Sequence, residues 1–315
     1  MKIRVGTRGS ELALTQTRAM CARIVEQVPG AEIEEVILTT KGDQDRETPL
    51  AAQGGVGVFT KELERALLDD EIDLAIHSLK DLPTLLPEGL ALGAVPERAS
   101  PWDAFISDRY PDLTDLPAGA KVATGSLRRR AQILHRCPHL EVIGIRGNID
   151  TRLRRYREVG ADALILAEAG LARTERTDVI RARFTVTEMT PAPGQGALGL
   201  EVRAADVDLI DALAEVDCPA TRAAVTAERT FLRELEGGCH LPIGGYGRVV
   251  EDRLVLVGML ATEDGTERLQ LSVEGAIAEA RELGVSLTEK MRRAGGAAIL
   301  ESYREASDTP SGGDA

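Results

Sequence analysis

Apolar and polar positions alternate along the chain in two different rhythms. "IRVGT" (3–7) has the length and character of a buried strand. "SELALTQTRAMCARIVEQV" (10–28) repeats its apolar residues at helical spacing, with Ser10 as N-cap and Glu11 in the first turn. A strand is predicted at "EIEEVILTT" (32–40), a helix at "FTKELERALLDD" (59–70) and a strand at "IDLAIHS" (72–78). The rhythm resumes with "KVAT", "SLRRRAQILHR", "LEVIGI", "NIDTRLRRYREVG" and "ADALILA" between 121 and 167. Strands alternating with helices predict α/β sheets rich in parallel pairs.

Three stretches break the alternation. Residues 42–57, "GDQDRETPLAAQGGVG", are polar and Gly-rich without periodicity, which predicts a long mobile loop. "VPERASPWDAF" (95–105) and "TPAPGQGALGLEV" (190–202) have the character of crossings between domains, the second ending in a strand that returns to the first sheet. Beyond a helix over about 221–235, residues 245–275 read as three strands joined by turns, one of them at Asp264–Gly265. Two more helical stretches reach about Ala306. The expected organisation is therefore a first unit of 1–96 with 197–215 and a second of 102–190. A C-terminal α+β unit of 218–306 and a disordered tail of 307–315 complete it.

Composition sharpens this picture. The chain has 315 residues, enough for two or three domains, and its 3% aromatic content leaves the cores to Leu, Val, Ile and Ala. A net charge of −13 argues against nucleic acid as a partner, since phosphate binding needs a basic face. Arginines nevertheless crowd between Arg128 and Arg157, so a local basic cleft is expected in an acidic protein. No run is long and apolar enough to span a membrane, and "MKIRVGTRGS" has no hydrophobic signal core, so a cytoplasmic location is expected. Cys21, Cys137, Cys218 and Cys239 lie far apart with no C-x-x-C pair, which fits neither a disulfide framework nor a zinc or other metal site. Cys21 falls on the apolar face of its helix and is expected in the core.

Candidate chemistry concentrates at five places. "TRGSELAL" (7–14), "TGSLRRR" (124–130) and "RGNIDTRL" (146–153) each run from a strand, through a Gly turn, to a Ser or Asn helix cap. A helix N-terminus offers free N–H groups and partial positive charge to an anion. Arg8, Arg128 to Arg130, Arg146 and Arg152 add cations there, where the helix dipole disfavours them by ~0.3–1 kcal/mol. Three such sites together suggest a bound anion; surface salt bridges with Glu and Asp are the alternative for any single arginine. No G-x-x-x-x-G-K-[ST] is present, so a nucleotide is not indicated. "HSLKDLP" (77–83) puts Lys80 and Asp81 at the carboxyl end of a strand, where open α/β sheets place ligands, although they also read as a solvated pair. His77 reads as a hydrogen-bonded core residue. Cys239 stands in the Gly-rich "LEGGCHLPIGGYG" (235–247), either as a reactive thiol or as a small residue filling a turn.

"TRGSELAL", "HSLKDLPT", "TGSLRRRAQ", "RGNIDTRL", "PGQGALG" and "EGGCHLPIG" occur in that order. Together they resemble the porphobilinogen deaminase (hydroxymethylbilane synthase) family of tetrapyrrole biosynthesis, over about residues 3 to 305. The resemblance implies two periplasmic-binding-protein-like lobes around a cleft, with a small third domain, and a monomer. It implies a transferase that deaminates porphobilinogen and joins four molecules into hydroxymethylbilane on a dipyrromethane cofactor, held through a thioether to Cys239. Lys80, Ser126, Arg128, Arg129 and Arg152 would hold cofactor carboxylates. Arg8, Ser10, Arg146 and Arg152 would serve the incoming substrate, with Phe59 over its ring and Gln195 nearby. Asp81 would accept pyrrole N–H bonds and stabilise positive charge. One departure is visible: the loop motif "GGKG" of the family is "GGVG" here, with Val56 for lysine, and Ala52 stands where another lysine often occurs. Two other readings are open. One is a two-lobed binding protein for a small anion, without chemistry; the other is a cysteine hydrolase using Cys239 with His77 or His240.

Overall fold

The computed structural model describes residues 1–38, 60–235 and 241–308. The loop expected over 42–57, with Ala52 and Val56, lies outside them, as do Phe59, Cys239 and His240. The chain begins with β1 (Lys2–Arg8), α1 (Glu11–Gln27), β2 (Glu32–Leu38), α2 (Lys61–Leu68), β3 (Leu74–Ser78) and β4 (Leu90–Ala94). It continues through β5 (Asp103–Ile106), β6 (Lys121–Ala123), α3 (Leu127–Arg136) and β7 (Glu141–Ile143). Next come α4 (Ile149–Glu158), β8 (Ala163–Ala167), α5 (Glu168–Arg173) and β9 (Ile180–Arg183). Then β10 (Leu198–Arg203) and α6 (Val207–Leu213) lead to α7 (Pro219–Glu234). The chain ends with β11 (Ile243–Val250), β12 (Arg253–Ala261), β13 (Arg268–Ala276), α8 (Ala280–Met291) and α9 (Ala297–Asp308). No described helix is long and apolar enough to cross a membrane.

Two five-stranded sheets share one plan. The first has the order β2-β1-β3-β10-β4 and the second β7-β6-β8-β5-β9. In each, the strands of the β-α repeats pair in parallel, and one strand, β10 or β5, runs against its neighbours. β10 is the strand expected to return from the second crossing. β5 is a correction: residues 103–105 end the stretch expected as a crossing, yet 103–106 form a fully buried strand between β8 and β9. The cores hold mainly aliphatic side chains, among them Ile3, Val5, Ile24, Leu74 and Leu200 in the first lobe and Val122, Ile133 and Ile165 in the second. Cys21 is only half-buried against the first core, where burial pushes its thiol pKa up to about 11.

The third unit is the antiparallel sheet β11-β12-β13 packed on α7 and α8, with Phe231 and Leu287 at its centre. Its last helix runs to Asp308, two residues into the stretch expected as tail. This unit grips both crossings through one buried carboxylate. Glu228 on α7 accepts from the Arg98 guanidinium at 2.6 Å, from Gly194 N at 2.6 Å and from Gly247 N at 2.7 Å. Tyr246 of β11 covers the same arginine, 5.3 Å from ring centre to guanidinium carbon, and packs against Trp102. A buried ion pair is stable only when its remaining bonding capacity is filled, and the two backbone N–H groups do that for Glu228.

Candidate functional site

Each of the three anticipated caps forms. Ser10 accepts from Ala13 N, Ser126 from Arg129 N and Asn148 from Thr151 N, so α1, α3 and α4 each start at a capped strand-to-helix turn. Such a cap contributes ~1 kcal/mol and fixes where the next side chains emerge. Lys80 and Asp81 follow β3 on the single 3-10 turn Leu79–Asp81, with Asp81 exposed.

Two groups of predicted residues meet. A cavity of about 70 Å³ is lined by Arg8 and Ser10 together with Gln16, His77, Ser78 and Asp81. Lys80 stands beside Asp81 and feels the charges of Arg128, Arg129 and Asp103 from the second lobe. Arg152 feels Arg129, Asp81 and Arg146. The strand end of the first lobe and two helix starts of the second therefore face one another across a basic cleft.

Burial lowers the Lys80 ammonium pKa to about 8, with Arg129 and Arg128 adding to the shift and Asp81 and Asp103 opposing it. The side chain also keeps solvent-accessible surface because it faces the open cleft, and water there works against the burial. Burial likewise lowers the pKa of Arg152, and its buried Nε has no hydrogen-bond partner among the described residues. A guanidinium in this condition gains from an anion that arrives with its own acceptor oxygens.

Arg128 and Arg129 are held differently from the expectation. Both are buried, and both are pinned by Asp103, a fully buried carboxylate that sequence reasoning missed. Arg128 donates to Asp103 Oδ2 at 2.8 Å and to Thr190 O at 2.7 Å. Arg129 donates through Nε to Asp103 Oδ1 at 2.9 Å and through a terminal nitrogen to Ile165 O at 3.1 Å. Gln195 joins the same carboxylate at 3.0 Å and also donates to Pro101 O, so it sits in the crossing, under the cleft wall. The neighbouring Gly196 has φ +86, and a Cβ there would lie 2.6 Å from Ala99 O, so only glycine fits this crossing. Burial pushes the Asp103 pKa up, but the Arg128 and Arg129 charges and the Arg128 and Gln195 hydrogen bonds outweigh it and bring it to about 2. Arg130 turns away altogether, to Val142 O at 2.9 Å and Glu263 at 3.7 Å.

Asp103→Asn keeps the shape of this node and removes its charge, leaving two buried guanidiniums with one partner fewer. Breaking a buried pair costs ~3–5 kcal/mol. The variant is expected to unfold at clearly lower urea than the parent; an unchanged midpoint would contradict this account of the node. Because the folded pKa lies below the unfolded value of about 3.9, the contribution is complete above that value. It disappears as pH falls through about 2. Truncating Arg128 or Arg129 is therefore expected to lower stability as well as anion binding, because each is a partner of the buried Asp103.

His77 is the core residue it was read as, buried and 2.9 Å from Glu201. Further residues escaped the sequence reading. Ser78 donates to Gln16 Oε1 at 2.7 Å, and Arg173 from the second lobe donates to the same oxygen at 2.9 Å and to Gly196 O at 2.8 Å. Burial lowers the Arg173 pKa to about 10. Among the described residues its guanidinium meets only neutral oxygens, and it ties α5 to the floor of the cavity beside Asp81.

Residues 3–211 match the family model "Porphobilinogen deaminase, dipyromethane cofactor binding domain", and 222–293 match "Porphobilinogen deaminase, C-terminal domain". The porphobilinogen deaminase of Trichlorobacter lovleyi is 46% identical over 95% of this chain and 96% of its own. That of Desulforudis audaxviator is 48% identical over 95% of this chain and 97% of its own. Among solved structures, a TRAP periplasmic solute binding protein from Desulfovibrio salexigens superposes with TM-score 0.42 and 8% identity, over 69% of this chain and 72% of that one.

Proposed function

The chain belongs to the porphobilinogen deaminase family, and from that premise we propose how its cleft residues make hydroxymethylbilane from four porphobilinogens on a dipyrromethane cofactor attached to Cys239. The observation that carries the assignment of roles is the meeting of Lys80, Arg129, Arg146 and Arg152 with Asp81 in one cleft. The cofactor and every substrate unit carry acetate and propionate groups, and the orphaned Nε of Arg152 among further cations fits carboxylates. When bound, the cofactor supplies the nucleophile, the free α-carbon of its terminal pyrrole.

The chain's own residues do the rest. Lys80, Ser126, Arg128, Arg129 and Arg152 hold the cofactor's carboxylates. Arg128 and Arg129 do so while anchored by Asp103, which fixes their direction. Arg8 and Ser10, lining the cavity with Asp81, receive the incoming substrate together with Arg146 and Arg152. Phe59 and Gln195 serve the same side, Gln195 through its position in the crossing. Asp81 accepts pyrrole N–H bonds and offers a carboxylate where the deaminated substrate develops positive charge. The first lobe is 1–96 with 197–215, the second 102–190, and the third domain 218–306 carries Cys239. The protein acts as a cytoplasmic monomer without nucleic acid, which its charge of −13 disfavours. The anion-binding alternative without chemistry leaves Asp81, a negative group facing the anion site, without a purpose.

Lys80 gives this reading a pH signature. An ammonium with pKa about 8 is mostly charged at neutral pH and neutral well above it. Carboxylate binding favours the charged form, so affinity is expected to fall as pH rises through about 8. Cofactor assembly on the apoprotein, followed by intact mass against pH, should slow on that limb. Lys80→Arg, which stays charged, should flatten the limb; an identical alkaline fall in this variant would take Lys80 out of the anion site.

A further inference from the structure

A second basic hollow lies away from the cleft. Its volume is about 290 Å³, near the lower end for small-molecule sites, and it opens between the segment 84–95 of the first lobe and helices α7 and α8 of the third domain. Arg222, Arg229, Arg233 and Arg281 line it, and among the described residues no acidic side chain does. In a chain of charge −13, four guanidiniums converging on one hollow is a concentration that the overall composition does not supply. None of the lining residues belongs to the cleft.

The arginines are not equivalent. Arg222 is neutralised by Asp217 at 2.8 Å, whereas Arg233 shares one carboxylate oxygen of its partly exposed neighbour Glu234, through Nε at 3.0 Å and one terminal nitrogen at 2.8 Å. Arg229 donates to the carbonyls of Leu82 at 2.9 Å and Pro83 at 2.5 Å. Burial lowers its pKa to about 10, with only the more distant charge of Glu201 opposing. Arg281 is exposed at the mouth and has no side-chain partner among the described residues. Leu86, Leu92, Val95 and Val225 complete the lining. Guanidiniums and aliphatic carbons lining one hollow suit a molecule with an anionic head and an apolar body.

We propose that this hollow is a second ligand site, taking a small organic anion whose carboxylate or phosphate lies between Arg229, Arg233 and Arg281 while its apolar part covers the half-buried Leu86 and Leu92. An occupant bridges the first lobe to α7. Arg229 itself is fixed on the first lobe by the carbonyls of Leu82 and Pro83. The site is independent of the cleft chemistry.

The test uses full-length holoenzyme and phenyl phosphate as probe, titrated calorimetrically at low salt, with inorganic phosphate beside it. Phenyl phosphate is expected to bind, and more tightly than inorganic phosphate because only its ring can cover Leu86 and Leu92. Arg281→Ala and Arg233→Ala are each expected to weaken it about tenfold, the value of one charge-assisted contact. Both side chains are partly or fully exposed, so the variants should melt like the parent and turn over porphobilinogen normally. That keeps failure of this site separate from failure of the cleft assignment. Binding unchanged in both variants, binding abolished instead by Arg152→Ala, equal affinity for inorganic phosphate, or no binding at millimolar probe would each overturn the proposal.

Discussion

Cys239→Ser yields a folded protein that carries no pyrrole adduct and releases no hydroxymethylbilane. A serine hydroxyl is nearly the same size as the thiol, and the flanking glycines Gly237 and Gly238 are unchanged, so the substitution is mild for folding. It is severe for attachment, because the thioether needs the sulfur nucleophile and an alcohol is far weaker. The expected loss of activity is complete, since without the anchored cofactor no growing chain has a terminal pyrrole to extend. The assay is product formation beside intact mass and thermal melting. Turnover near the parental rate would rule out Cys239 as the attachment point.

Asp81→Asn has the next largest expected effect and separates catalysis from assembly. The residue follows β3 on a short 3-10 turn and faces the cavity shared with Arg8 and Ser10. Asparagine keeps the shape and one acceptor oxygen but loses the negative charge. Removing one preorganised group of this kind costs ~10²–10³ in rate. The variant should still fold and bind porphobilinogen through the arginines, yet condense it slowly. Single turnover is measured with the cofactor already in place. A rate within about threefold of the parent, far short of that loss, would make Asp81 a structural residue.

Local chemistry was the legible part of this protein. Ser10, Ser126 and Asn148 were readable as caps because a cap depends on residues within three positions. The return of β10 to the first sheet was readable because "GALGLEV" follows a Gly-rich turn with a strand pattern. What escaped depends on distant partners. Asp103 lies 25 residues from Arg128, and its four-residue strand is too short to show a period. Gln16 and Arg173 meet across 157 residues, and Arg98 and Glu228 across 130. Arg130 shows the limit of reading a run as one patch. Successive helix residues point about 100° apart, so three consecutive arginines cannot all face one site, and the third turns to Glu263.

The intact mass of the purified wild-type protein, with peptide mapping, tests the central claim most directly. The account predicts a covalent addition of two pyrrole units that maps to the peptide containing Cys239 and persists after turnover. An active enzyme with the unmodified mass of its sequence, or an adduct on any other cysteine, would contradict it.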